Sequence, residues 1–425
     1  MPVAETPQIA RSSVEMRAGE PTRRAKRVCM VAYTFYEADN RVRRYAEALA
    51  KRGDRVDAIA LRRDGLDAVA EMRGVKVHRI QKRVIDERGP FTYLRKLLLF
   101  FFRSAWLMTV EHLRDPYDVI HVHSVPDFQV FATLIPKLLG ARVVLDIHDI
   151  VPEFYASKFK VDERSLVFRC LLLVERLSIA YSDHVIISNH LWEEKIVGRS
   201  VTREKCTAII NYPDPSIFTP KRAKTHPGGD FVICYPGTLN WHQGLDLAIE
   251  AVAKLREKAP NLKFLIVGDG PDREKLKEMV RDLSLEGRVE LRGFVPIEEV
   301  AATMNSIDLG VVPKRSDSFG NEAFSTKIME FMAMGVPVVA SRTRIDQYYF
   351  SDDLVEFFES ENKQDLADKI LGLMHDPARR RSLAEQAGAF IEQNNWDVKK
   401  GEYLNLVDGL SDRDRRRSGK SASSK

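Results

Sequence analysis

Cysteine is scarce in this chain. The four present, Cys29, Cys170, Cys206 and Cys234, are far apart and form no CxxC pair, which excludes a disulfide framework and a thiolate zinc site. They read as reduced thiols, with Cys29 and Cys234 inside apolar strand-like runs. A long apolar run is also missing. The longest, LLLFFFRSAWLMTV over 97–110, is broken by Arg103 and falls short of the roughly 20 residues that span a bilayer. No apolar core follows the N-terminal charges as a secretory signal would require, so the expected location is the cytosol. Charge of one sign is only mildly in excess, at +5. Part of that excess gathers in two basic ends, 1–26 and 411–425, which are expected to be disordered. They lack interleaved aromatics, which argues against a nucleic-acid platform and for no nucleic-acid partner.

What is present describes an α/β protein, with 44 % hydrophobic and 30 % charged residues. At 425 residues the chain exceeds what one core usually serves, so two domains are expected. Strand-like RVCMVAYTF, YDVIHVHS, ARVVLDIHD and DHVIISN alternate with helical stretches over 27–210. A segment with four prolines and no apolar period, 211–229, reads as a linker. A second alternating series, with FVICYPGTL, LKFLIVGDGP, VELRGFV, DLGVVP and VPVVAS as strands, fills 230–390, and 391–410 closes the chain. Alternation of this kind gives parallel sheets covered on both faces, and ligands of such sheets bind beyond the carboxyl ends of the strands. With two sheets, the expected site is the cleft between them.

The stretch FGNEAFSTKIMEFMAMGVPVVAS, 319–341, carries the most chemistry. A helix is expected to open near Ser325, which is placed to cap it, and the unpaired N–H groups of its first turn make an anion site. Lys327 adds a point charge for a phosphate. Glu330 lies three residues on and shares its face, whereas Glu322 belongs to the preceding loop. Carboxylates beside a phosphate site are useful as acceptors for sugar hydroxyls. The same pattern also fits two solvated acids and an i,i+3 ion pair.

Several motifs together settle the weighting. EAFSTKIMEFMAMGVPVVAS, LIVGDGP, VELRGFVP and INYPD resemble the retaining nucleotide-sugar glycosyltransferases of family 4, whose two glutamates eight positions apart are matched by Glu322 and Glu330. The resemblance covers roughly 27–390. It implies the GT-B fold, two Rossmann-like parallel-sheet domains facing across a cleft. It implies that Glu330 holds the donor ribose and that Glu322 contacts the donor sugar, approached also by the amides of Ala323, Phe324 and Ser325. Gly293, Phe294 and Val295 are implied at the nucleobase. His148, after a strand of the first domain, is implied beside the donor sugar near its anomeric centre. Gly237 is implied at the phosphate in the loop PGTLNWHQG, where Thr238 and Gln243 stand in place of the family's usual arginine and lysine. That departure shifts the expected charge stabilisation onto Lys327 and the helix amides.

Asp39, Asn40 and Arg41, after the first strand, are candidates for the acceptor wall, although Asp39 or Asn40 serves equally as a helix cap. His123 is an acceptor-side or packing candidate. His121, His123 and Asp127 lack an assured third ligand distance, so no metal is expected. No cofactor is expected beyond the donor, a nucleotide diphosphate sugar, with a UDP-sugar favoured. The basic, bulky stretch YLRKLLLFFFRSAWLMTV suits either a buried crossover helix or an element at an anionic membrane. The expectation is therefore a retaining hexosyltransferase acting on a carbohydrate or lipid-linked acceptor in polysaccharide or glycolipid biosynthesis, in the cytoplasm, with the inner face of the cytoplasmic membrane as an open alternative. An epimerase of related fold and a non-catalytic binding or scaffold protein remain open.

Overall fold

The computed structural model describes residues 23–83, 90–159, 161–162, 164–220 and 229–422. The N-terminal tail up to residue 22, part of the linker at 221–228, and 423–425 lie outside the described residues.

Two sheets form, as the alternating pattern requires. The first has eight strands in the order Val69–Met72, Val75–Lys82, Arg55–Arg62, Arg27–Ala32, Val119–His123, Arg142–Ile147, His184–Ile187 and Cys206–Ala208. All pairings are parallel except the edge strand Val69–Met72, which runs antiparallel to Val75–Lys82. The second has six parallel strands in the order Val289–Arg292, Leu262–Val267, Phe231–Pro236, Leu309–Val312, Val338–Ser341 and Glu356–Phe358. The central strand Arg27–Ala32 is buried at every position, the signature of a strand with helices on both faces.

Local chemistry places the helices that build the cleft. The helix Asn40–Lys51 begins because the Asp39 carboxylate accepts from the N–H groups of Arg41 and Val42, both at 3.1 Å. Val42, Tyr45, Ala46 and Leu49 turn inward at helical spacing, and Gly53 at φ 93° ends the turn. In the second domain Gly268 has φ 146°, and a Cβ there would lie 1.9 Å from the Gly237 carbonyl oxygen. The glycine of LIVGDGP therefore lets two loops touch backbone to backbone below the cleft.

The chain ends by crossing back. The helix Thr326–Ala333 packs against Pro377–Gln393, and the last helix, Trp396–Ala422, returns to the first domain. Its Trp396 N–H donates to Pro213 O at 2.9 Å, Tyr403 packs on Tyr45 with ring centroids 4.2 Å apart, and Asp408 accepts from Arg52 at 3.0 Å. This helix runs on to Ala422, past residue 411, where the sequence suggested an irregular tail.

Candidate active site

The two domains meet at a cleft of about 260 Å³. Asp39, Asn40, Arg41, Arg44 and His148 line it from the first domain, Asn211 to Asp214 from the connecting segment, and Thr326 and Glu330 from the second. A neighbouring cavity of about 350 Å³ is lined by Asn40 and Arg63 on one side and by Gly237, Thr238, Phe294 and Val295 on the other. Predicted residues from distant parts of the sequence are thus brought together. Gly293 lines neither space.

The helix Thr326–Ala333 opens at the cleft, with Ser325 in the N-cap position. Its hydroxyl, however, makes no cap bond. The residue is 6 % exposed and Oγ has no partner among the described residues. Of the three amides implied at the sugar, that of Ala323 is donated to Phe319 O at 2.9 Å. Phe324 packs edge-on against Tyr349 at 4.9 Å. The N–H groups of the helix's first residues, Thr326 and Lys327, are the ones that helix geometry leaves unpaired.

Lys327 lies against the glycine loop. A Cβ on Gly237 would come within 2.5 Å of Lys327 Cε and 3.2 Å of its Nζ. The ammonium donates to Gln243 Oε1 at 3.3 Å, and the same oxygen accepts from the Tyr235 hydroxyl at 2.8 Å. Gln243 thus links Lys327 to Tyr235 beside the loop. Burial lowers the Lys327 pKa, opposed by Glu330. Burial raises that of Glu330, opposed by Lys327, by a hydrogen bond with Thr326 and by Arg44. A charged ligand entering here meets a site in which neither partner is fully compensated.

Glu322 does not line either space. Its Oε2 is 2.5 Å from Lys195 Nζ and its Oε1 3.3 Å from Arg344 Nη1. Lys314, buried after the strand Leu309–Val312, holds the same segment by donating to Ala323 O at 2.7 Å.

Beneath His148 lies a cluster that the sequence reveals only in part. His123 Nδ1 and His148 Nε2 are 3.1 Å and 3.2 Å from Asp146 Oδ2, and 3.2 Å from each other. Arg41 grips Asp146 with both prongs, at 2.8 Å and 2.7 Å, and also donates to Ile209 O and Asn211 Oδ1. Arg41, expected on the acceptor wall, has its guanidinium committed to this support and is only 4 % exposed. Burial disfavours an ionised Asp146, but Arg41 and the histidines together hold its carboxyl well below the usual range. His121, His123 and Asp146 are the one group among the described residues whose donor atoms could surround a metal ion. With both carboxylate oxygens accepting from a guanidinium, that group is built as an ion pair flanked by imidazoles, which a dication would have to disrupt.

Burial pushes His121 well below the ordinary histidine value, helped by His123, and lowers His123 as well. Their folded values lie below those of the unfolded chain, His121 the further, so below about pH 6.5 the unfolded chain binds the more protons. Their contribution to stability is complete above that pH and falls on acidification, by up to about 1.4 kcal/mol per pH unit for each. Melting temperature is expected to drop between pH 7 and 5, less steeply in His121→Gln. An unchanged slope in that variant would contradict this account.

Two parallel sheets meeting at a cleft, with an acid-flanked helix start on one side and a histidine on the other, define a GT-B protein. The comparisons agree. Residues 217–390 match the family of glycosyl transferases group 1, and 38–211 match a glycosyl transferase 4-like domain. D-inositol 3-phosphate glycosyltransferase of Corynebacterium aurimucosum is 30 % identical over 323 residues, covering 69 % of this chain and 72 % of that one. The chain belongs to the group 1 glycosyl transferases. One component of the human phosphatidylinositol N-acetylglucosaminyltransferase is 26 % identical over 326 residues, 75 % of this chain; the chain spans 62 % of that protein's length. In the same fold, the Anabaena protein HepE in complex with UDP-glucose superposes with a TM-score of 0.66 at 17 % identity, over 90 % of this chain and 99 % of that one.

Proposed function

We propose that this protein transfers a sugar from a nucleotide diphosphate sugar to an acceptor hydroxyl with retention of configuration. The observation that carries this reading is the opening of the helix Thr326–Ala333. There the Lys327 ammonium stands beside Gly237, and the same helix start holds a buried Ser325 hydroxyl with no partner among the described residues and first-turn amides that helix geometry leaves unpaired. A buried polar group without a partner is costly and rare, and a diphosphate supplies acceptors for all of these donors. Glu330 then receives the ribose, Glu322 the sugar, and the cavity at Phe294 and Val295 the base. Thr238 borders that cavity. His148, set by Asp146, stabilises the donor sugar near the anomeric centre, and the leaving diphosphate is held by Lys327. UDP-glucose in HepE makes a UDP-sugar the first donor to test. A thermal-shift panel of UDP-, GDP- and ADP-sugars is expected to single out one donor, and product analysis to find its anomeric configuration retained. Hydrolysis or epimerisation without need of an acceptor would overturn the reading.

The acceptor is drawn from an anionic membrane surface. Among the described residues no helix is long and apolar enough to cross a membrane. The helix Pro90–Arg114 instead exposes Leu94, Leu98, Phe102 and Trp106, the last two at 65 % and 69 %. The helix Leu134–Leu138 packs beside it and exposes Leu138 at 74 %, and Leu166–Tyr181 exposes Leu166 at 75 % together with Leu173 and Leu177. Arg95, Arg103, Arg114, Arg169 and Arg176 are exposed on the same helices. Their two acids, Glu111 and Glu175, are engaged by Arg27 and Arg199. An apolar face whose helices expose several arginines, while their own acids are engaged by Arg27, Arg114 and Arg199, suits an anionic bilayer. At one end of it Tyr93 and Val125 line a space of about 250 Å³ that reaches His123 and His148, a route for a lipid-linked acceptor. Binding to phosphatidylglycerol vesicles is expected to weaken about 100-fold on replacing Arg95, Lys96 and Arg103 together, at about 1 kcal/mol per charge. No binding at low salt, or a stable dimer through this face, would contradict the proposal.

A further inference from the structure

Glu322 belongs to the second domain, yet its shortest ion pair comes from the first. Lys195 lies on the helix His190–Val197, between the strands His184–Ile187 and Cys206–Ala208 of the first sheet, and its Nζ is 2.5 Å from Glu322 Oε2. Asn189, the N-cap of that helix, donates from Nδ2 to the Glu322 carbonyl oxygen at 3.2 Å, while its Oδ1 accepts from the Trp192 N–H. One short helix of the opposite domain thus holds both the side chain and the main chain of the motif glutamate. The partner from its own domain, Arg344, is at 3.3 Å and is largely exposed.

Lys195 has another acid in reach, Glu153 at 3.9 Å, but that carboxylate already pairs with Arg199. The Lys195–Glu322 pair is partly shielded, at 32 % and 15 % side-chain exposure, so it is less screened than a surface pair. A loop glutamate that must receive sugar hydroxyls loses binding free energy each time it is ordered by the ligand, and a cation that orders it beforehand removes that loss. Lys195 can do so only while the domains stand at this separation, because its backbone belongs to the other side of the cleft.

We infer that Lys195 is a positioning residue: it aligns Glu322 for the donor sugar and thereby couples sugar capture to closure of the two domains. The inference rests on the assignment of Glu322 to the sugar and adds to it a residue from the first domain. It requires that the pair act on the sugar and leave the nucleotide alone.

The test compares binding of a nucleotide sugar with binding of its own nucleoside diphosphate, using whichever of UDP-glucose, GDP-mannose and ADP-glucose stabilises the wild type most. Lys195→Met is expected to weaken the nucleotide sugar about 10-fold, the worth of one charge-assisted hydrogen bond, and the diphosphate less than about twofold. Lys195→Arg should recover most of the loss, and Lys195→Met in a Glu322→Gln background should add little. Equal weakening of both ligands, or none, would overturn the inference, leaving Lys195 a structural residue. If Glu322→Gln itself fails to separate the two ligands, or no donor binds the wild type, it is the underlying assignment of Glu322 that falls.

Discussion

Lys327→Met is expected to lower turnover by about 10²–10³-fold, equivalent to about 2.7–4 kcal/mol of transition-state stabilisation. The expectation follows from what the loop beneath it lacks. With Thr238 and Gln243 in place of two cations, Lys327 is the basic side chain of the second domain set beside Gly237. Charge grows on the leaving diphosphate as the glycosidic bond breaks, so the loss should fall more on kcat than on KM. Methionine keeps the length that packs beside Tyr235, over whose ring the ammonium stands at 5.2 Å, so the fold should survive. Steady-state kinetics with the identified donor measure the effect. A variant within about fivefold of wild type would remove Lys327 from the chemistry.

Glu322→Gln is expected to reduce kcat/KM by about 100-fold. The carboxylate accepts from Lys195 and Arg344 and retains lone pairs for hydroxyls of the sugar, whereas the amide would offer one acceptor and turn its NH₂ toward a cation. Part of the loss is in binding of the sugar and part in its orientation at the anomeric centre. Binding of the free nucleoside diphosphate should be nearly unchanged. Activity near the wild-type level would place the sugar elsewhere.

Much of the fold was legible because it rests on periodicity. Strands such as Arg27–Ala32 and Val338–Ser341 are continuous apolar runs, and the helix Asn40–Lys51 displays its cap and its glycine stop. The spacing of Glu322, Lys327 and Glu330 around a helix start was likewise readable as local geometry. What was not legible depends on partners distant in sequence. Asp146 is one acid in an apolar strand, and nothing local reveals that Arg41, 105 positions earlier, clasps it. Lys195 looks like any polar residue on an amphipathic helix, and only the meeting of two domains gives it Glu322. Arg44 lines the cleft and Lys314 supports the motif loop, yet each reads locally as an ordinary surface charge. The apolar stretch at 97–110 read equally as a covered crossover helix. Its exposure is decided by what packs against it, which periodicity does not report.

The correction at Ser325 follows the same logic. Its type and position predict a cap, but its hydroxyl is buried without a partner among the described residues, a tertiary outcome that local sequence does not report.

A crystal structure of the wild-type protein with its nucleotide sugar is the most direct test. The diphosphate should lie at the start of the helix Thr326–Ala333, within hydrogen-bond distance of Lys327 Nζ and the first-turn amides, with the ribose at Glu330 and the sugar at Glu322. Donor bound outside this cleft, or inside it with the diphosphate remote from Lys327, would contradict the account.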